Sequence, residues 1–208
     1  MDLLQILPIL GYIGIFAVIF AESGLFFGFF LPGDSLLFTA GFLASQGIFD
    51  IKLLSLLCFV GAVLGDSVGY AFGHKVGRKL FRKKDSFFFH PDHILKAERF
   101  YEKHGKKTII LARFLPAIRT FAPIVAGIGS MEYKTFLSYN IIGGILWAIC
   151  LPLAGFYLGN LIPDVDKYLL PIVGGIIILS IIPQTITILK NKEARSQLLA
   201  FALKPFKK

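Results

Sequence analysis

Long apolar stretches, each close to the length needed to cross a membrane, dominate this chain. Residues 3–21, 52–73, 135–163 and 168–189 are nearly free of charge, and about 20 apolar helical residues cross a bilayer core of about 30 Å. Hydrophobic residues make up 55% of the chain and charged residues 17%. This balance excludes a disordered protein and argues against a soluble enzyme. We therefore predict an all-α integral membrane protein with four full crossings.

Two further apolar stretches, residues 23–49 and 108–131, contain proline and charge near the middle, where a straight spanning helix tolerates neither. Non-helical backbone at membrane depth is stable only when it is buried in protein or lines a wet cavity. We therefore expect two re-entrant hairpins, with a kinked full span as the alternative for each. The interrupting residues are Gly24, Gly28, Pro32, Gly33 and Asp34 in the first stretch, and Arg113, Pro116, Arg119 and Pro123 in the second.

The positive charge is concentrated in two segments and indicates the orientation. The net charge is +9, and 17 of the 22 Lys and Arg residues lie in 74–107 or 190–208. Because cytoplasmic segments of membrane proteins are enriched in Lys and Arg, we place both segments in the cytoplasm and expect no nucleic-acid partner. Within the central segment, residues 91–104 have the apolar and basic faces of an interfacial amphipathic helix.

With both basic segments inside, the two hairpins enter from opposite sides of the membrane. Hairpin plus crossing then occurs twice in opposite orientations, which is an inverted repeat typical of transporters with a site near the midplane. We predict one transmembrane domain over residues 1–190, divided near residue 90, and a basic cytoplasmic tail over residues 191–208.

Five ionisable residues lie inside the apolar stretches and must be neutralised or hydrated, because each costs at least about 2.5–3.5 kcal/mol at the bilayer centre. Arginine suits phosphate through its planar fork of donors, and helix ends at broken backbone add N–H donors. A buried carboxylate beside arginine is a candidate proton carrier. The five residues are Glu22, Asp34, Asp66, Arg113 and Arg119.

From this chemistry we predict phosphate binding by Arg113 and Arg119 and proton coupling by Glu22 and Asp34. Fixed salt bridges that only hold the hairpins together are the alternative. Asp66 lies on a helix where glycine recurs every four residues, so a close-packing face is its first interpretation. The supporting residues of the predicted site are Asp66, Pro32, Gly33 and Pro116.

In these motifs the chain resembles the DedA family of bacterial membrane proteins, which is related to the VTT-domain proteins. One departure is the Phe-rich run before Pro32, where many members have a further proline. The matching elements are Glu22, Phe30-Leu31-Pro32-Gly33-Asp34, residues 61–70, His104-Gly105, residues 113–119, Ala126-Gly127, and Asn140 through Gly143 to Trp147.

The resemblance implies two facing re-entrant hairpins, functional acids and arginines within the membrane, and movement of lipid between leaflets. It further implies a translocase in the bacterial inner membrane that returns undecaprenyl phosphate to the cytoplasmic face, driven by the proton-motive force. The expected partners are a polyprenyl phosphate or phospholipid substrate and protons. The oligomeric state is open, and a homo-oligomer is compatible with the sequence.

Four other functions compete with this one. One of them is a purely structural or interaction protein, against which the five charges in the apolar stretches argue. A phospholipid scramblase without proton coupling and a proton-coupled antiporter for small solutes both fit the buried charges. A membrane enzyme fits less well, because the chain lacks a His-Glu-x-x-His zinc motif. His90 and His93 belong to the basic segment and are expected to be solvated there. We therefore expect no catalytic residue, no metal and no cofactor.

Overall fold

The computed structural model describes residues 3–24, 32–77 and 105–161, together with residues 171 and 175. All regular structure in these ranges is helical, without a strand, in agreement with the predicted all-α class. Residues 1–163 form one compact unit, and residues 164–208 form a second unit. The helices of the first unit are α1 (Leu3–Gly24), α2 (Gly33–Ser45), α3 (Ile51–Phe72), α4 (Thr108–Ala112), α5 (Pro116–Arg119), α6 (Ala122–Ile128), α7 (Tyr133–Gly144) and α8 (Cys150–Leu161).

Two helices in the described part are long and apolar enough to cross a membrane. One runs over Ile51–Val76 and joins α3 to a π-helical turn, and the other runs over Tyr133–Leu161. The second joins α7 to α8 through a π-helical segment, Ile145–Ile149. They coincide with two of the four predicted crossings. Helix α1 covers the first of the other two, and residues 168–189 lie outside the described residues except for 171 and 175, so four crossings stay a prediction.

The interrupted stretch 108–131 is divided into three short helices, as its prolines require. Pro116 begins α5, and Leu115 before it is extended, the conformation that a following proline favours. Pro123 lies in the first turn of α6. The three helices α4, α5 and α6 contact one another. Insertion of this segment as a hairpin from one side of the membrane stays a prediction.

In the other interrupted stretch, α2 follows directly after Pro32, while residues 25–31 lie outside the described residues. Gly47 turns the chain from α2 into α3 with a φ of +75°, which favours glycine. Asp50 then caps α3, because its carboxylate accepts a hydrogen bond of 2.8 Å from the Leu53 N–H.

The helices of the two halves pack reciprocally. Helix α2, from the first interrupted stretch, packs on α8, and α6, from the second, packs on α3. Helix α3 also packs along α1. Each interrupted stretch thus lies against the long helix of the other half, as the predicted inverted repeat would require, and the repeat itself stays a prediction.

Glycine sets the distance between these helices. The Gly61–Gly73 stripe of α3 is a close-packing face, as predicted: a Cβ at Gly65 would lie 2.6 Å from Phe20 O of α1, and one at Gly73 would overlap the backbone of α6. Between α2 and α8, a Cβ at Gly155 would overlap Phe38 O. Small residues let helix backbones approach this closely inside a membrane.

The buried core joins α1, α2 and α3 to the π-helical segment. Its apolar members include Ile19, Leu37, Leu54 and Trp147. Large apolar side chains on the outer faces of α3, α7 and α8 are instead exposed, such as Leu56, which is 56% exposed. An exposed apolar surface of this kind suits contact with lipid chains.

Three predictions fall outside the described residues. They are the interfacial helix 91–104, most of the basic segment 74–107, and the tail 191–208. The predicted boundaries of the transmembrane domain and its two halves therefore stay predictions.

We predict that Gly155→Ala destabilises the protein, because the added methyl group must push α2 and α8 apart. Overpacking of this kind costs about 1–3 kcal/mol. The thermal midpoint in detergent should fall relative to wild type. Gly14→Ala is the matched control, since a Cβ at this helical glycine meets nothing within 4 Å among the described residues. Equal midpoints for the two variants would contradict the predicted contact.

Candidate functional site

Arg119 lies between two carboxylates that come from separate helices. It ends α5, and its Nη2 forms an ion pair with Oε1 of Glu22, in the last turn of α1. Its Nη1 donates a hydrogen bond of 2.6 Å to Oδ1 of Asp34, in the first turn of α2. We call these three residues the Arg119 cluster. The interrupted stretch 108–131 thus meets both ends of the break between α1 and α2.

Solvent access differs within the Arg119 cluster. The side chain of Glu22 is 1% exposed and that of Arg119 is 7% exposed. The Asp34 side chain is 48% exposed. Asp34 is therefore the member of the cluster that is accessible to solvent, and Glu22 is buried.

Arg113 forms a second cluster on the long helices. It follows α4, and its Nη2 pairs with Oδ2 of Asp66 on α3 and donates to Oδ1 of Asn140 on α7. Nδ2 of Asn140 donates to Val63 O at 3.1 Å, which orients the amide. Arg113, Asp66 and Asn140 form the Arg113 cluster. All three are buried.

Trp147 lies against both arginines. Its ring centroid is 4.8 Å from Cζ of Arg119 and 5.9 Å from Cζ of Arg113. Cation–π attraction acts over distances of this size. The indole N–H also donates a hydrogen bond of 2.7 Å to Oδ1 of Asp34. One buried indole thus joins the two clusters into a single polar site.

Two glycines give these charged side chains room. A Cβ at Gly33 would overlap the carboxylate of Glu22. A Cβ at Gly143 would lie 2.9 Å from Cδ of Arg113. Pro32 immediately precedes α2, so the Pro32-Gly33 pair both ends the break and admits the carboxylate. Pro116 contributes through the start of α5.

The structure brings most of the predicted site residues together. Arg119 meets Glu22 and Asp34, as expected if the two interrupted stretches converge. Arg113 pairs with Asp66, so Asp66 belongs to the polar site as well as to the glycine face of α3. The predicted roles of these residues in phosphate binding and proton transfer stay predictions.

Sequence reasoning assigned no role to Asn140 or Trp147. Both lie in the predicted crossing 135–163 and belong to the motif elements that carry the family resemblance, but neither was given a place at the site. An amide within a spanning helix was the available signal, because polar groups at membrane depth need partners. The position of Trp147 carried no comparable signal.

Hydrogen-bonding capacity remains unused within the site. Nε of Arg113, Nε of Arg119 and Oε2 of Glu22 are buried and make no hydrogen bond with the part of the chain that the structure describes. Three acids against two arginines give the site one formal negative charge. A carboxylate of such a site can accept a proton. When a carboxylate moves away from its arginine, the freed guanidinium N–H groups can donate hydrogen bonds to an anion.

Comparison with known proteins identifies the chain. The VTT domain matches residues 31–157. Protein DedA of Escherichia coli (strain K12) is 45% identical over 89% of this chain and 85% of its own length. The chain belongs to the DedA family. The earlier resemblance is thereby confirmed.

Other members of the DedA family resemble the chain over most of its length. An uncharacterized membrane protein of Mycobacterium leprae (strain TN) is 48% identical over 81% of this chain and 75% of its own. Inner membrane protein YqjA of Escherichia coli (strain K12) is 34% identical over 72% of this chain and 68% of its own. No solved structure matches the chain. These relatives support a bacterial inner membrane location for this DedA-family protein, and two of them are named as membrane proteins rather than as enzymes.

We predict that Arg113→Gln and Asp66→Asn destabilise the protein strongly as single changes and less than additively together. Each single change leaves the partner charge buried and uncompensated, which costs about 3–5 kcal/mol. The double variant leaves no charge at either position. Thermal midpoints of the four proteins in detergent measure the coupling, with Lys52→Gln as an exposed control. Additive losses would mean that the two side chains do not interact.

Proposed function

We propose that this DedA-family protein is a lipid translocase that moves undecaprenyl phosphate across the inner membrane, driven by the proton-motive force. In this proposal the phosphate headgroup binds to Arg113 and Arg119. Glu22 and Asp34 exchange protons, and the polyprenyl chain stays in the bilayer beside the apolar outer faces of the helices.

The observation that carries the proposal is the placement of a buried arginine between two carboxylates from different helices. In the resting protein Glu22 and Asp34 neutralise Arg119 and compete with any anion for its donors. Protonation of one carboxylate removes that competition and makes the guanidinium available. Binding of a phosphate and binding of a proton therefore favour each other, which is the thermodynamic requirement for coupled transport.

The geometry of the two arginines supports a binding site for phosphate rather than a polar cavity without ligand specificity. A guanidinium presents several N–H donors in one plane, which match two phosphate oxygens. The Nε atoms of Arg113 and Arg119 are buried and make no hydrogen bond among the described residues. Both arginines also lie against Trp147, and in this proposal their two guanidinium groups act on one headgroup.

The different exposures of Glu22 and Asp34 suggest a direction for the proton path. Asp34 is about half exposed and exchanges protons with water first. Glu22 lies on the far side of Arg119 and is sealed. A proton that reaches Glu22 therefore does so after the Arg119 cluster has rearranged, and this order prevents a free leak.

We predict that Arg113→Lys and Arg119→Lys each lower the rate of polyprenyl phosphate flipping in proteoliposomes by tenfold or more. Lysine keeps the positive charge but lacks the planar fork of donors. Lys134→Arg exchanges the same residue types at an exposed position and should leave the rate unchanged. Wild-type rates in both lysine variants would refute phosphate binding by these arginines.

We predict that flipping of polyprenyl phosphate slows when the pH gradient across the vesicle is collapsed, and that phosphatidylethanolamine is not flipped. Proton binding at Asp34 and release on the other side supply the driving force only while a gradient exists. Transport that ignores the gradient and includes phosphatidylethanolamine would identify a scramblase. Uptake of a small solute without any dependence on lipid substrate would identify an antiporter.

A further inference from the structure

Oδ1 of Asp34 accepts two hydrogen bonds of different kinds. One comes from the charged Nη1 of Arg119 at 2.6 Å, and the other comes from the neutral indole N–H of Trp147 at 2.7 Å. The indole is buried, with 2% exposure, and its ring also lies against the Arg119 guanidinium. Trp147 therefore contacts both members of the ion pair that the proposed transport step must separate.

The position of Trp147 in the chain is unusual as well. It lies at the centre of the π-helical segment Ile145–Ile149, within a helix that is otherwise α-helical. π-helical turns inside longer helices often occur at functional sites, because the extra residue redirects a side chain. Trp147 belongs to the same buried apolar cluster as Leu37, Ala40, Cys58 and Ala62.

We propose that Trp147 is a positioning residue that lets Asp34 release Arg119 without losing all of its hydrogen bonds. This inference rests on the proposed function. When a phosphate recruits Arg119, the Asp34 carboxylate keeps the indole N–H as a donor. The ring keeps its contact with the departing cation. The cost of separating the ion pair is lowered on both sides, because the half-exposed Asp34 carboxylate keeps one protein donor when Arg119 leaves.

The sequence makes Trp147 accessible to selective experiments, because it is the only tryptophan among the 208 residues. Indole fluorescence therefore reports on this site alone. Metabolic replacement of tryptophan also changes this position alone. Benzothienylalanine has nearly the shape of tryptophan, with sulfur in place of the N–H, so it removes the hydrogen bond and keeps the ring.

The decisive measurement is polyprenyl phosphate flipping in proteoliposomes at alkaline and mildly acidic pH, for wild type, Trp147→Phe and the benzothienylalanine protein. At alkaline pH both altered proteins should flip polyprenyl phosphate about tenfold more slowly than wild type, or slower still. The reason is that an ionised Asp34 lacks its second donor when Arg119 leaves. At acidic pH the defect should shrink, because a neutral Asp34 no longer needs that donor.

The pH arm separates positioning from a merely structural role. The charged groups around Asp34 in the described residues are Arg119, which it contacts, and Glu22, which lies across Arg119. Arg113 Cζ lies 5.9 Å from the centroid of the indole ring, and Arg113 pairs with Asp66. All of them are retained in both altered proteins. A general packing defect would slow transport equally at both pH values, and that outcome would overturn the inference.

Binding gives a second measurement. Polyprenyl phosphate should shift the indole emission of the wild-type protein, because a negative phosphate that binds Arg119 changes the charge next to the ring, while uncharged polyprenol should not. The shift should be lost in Asp34→Asn. If wild type flips polyprenyl phosphate while the benzothienylalanine protein equals it at both pH values, the role of Trp147 fails and the proposed function stands. If wild type neither flips nor responds to polyprenyl phosphate, the proposed function fails as well.

Discussion

The neutralisation of five buried charges is the constraint on which the rest of this structure depends. Each charge alone opposes membrane insertion by several kcal/mol, and none of the described helices carries both signs at adjacent positions in its apolar part. The acids lie on α1, α2 and α3, whereas the arginines lie in the interrupted stretch 108–131. Helices from distant parts of the sequence must therefore meet before the charges are compensated.

The glycine contacts make that meeting possible. Ion pairs need their atoms within a few ångströms, so the helices that bear them must pack with little side-chain volume between their backbones. Gly65 admits α1 to α3, Gly73 admits α6 to α3, and Gly155 admits α2 to α8. Without these approaches Arg119 would not reach Glu22 and Asp34. Packing and electrostatics are therefore coupled in this DedA-family protein, and a change in one is expected to disturb the other.

The two clusters of this site differ in how readily their ion pairs can rearrange. The Arg113 cluster is buried, bound to two long helices and supported by an amide, so in the proposed function Arg113 keeps its position while its unused Nε–H serves the phosphate. The Arg119 cluster joins the last turn of α1 to the first turn of α2, and its Asp34 side chain is half exposed. An ion pair between helix ends rearranges at a lower free-energy cost than one in the middle of long helices. The Arg119 cluster is therefore the part of the site suited to exchanging partners. Trp147 stands between the two.

The sequence alone determined the helical class, the long helices around 52–73 and 135–163, the broken helix at Pro116, the close-packing glycines of α3 and the family. These follow from local properties: hydropathy over about 20 residues, the geometry of proline, the spacing of glycine and short motifs. Which acid neutralises which arginine did not follow from local properties. Five charges allow several neutralising combinations, and only the tertiary structure assigned Asp66 to Arg113, and Glu22 with Asp34 to Arg119. It alone also placed Asn140 and Trp147 at the site, because a contact between residues more than a hundred positions apart, such as Trp147 and Asp34, depends on how helices cross and leaves no local signal in the chain.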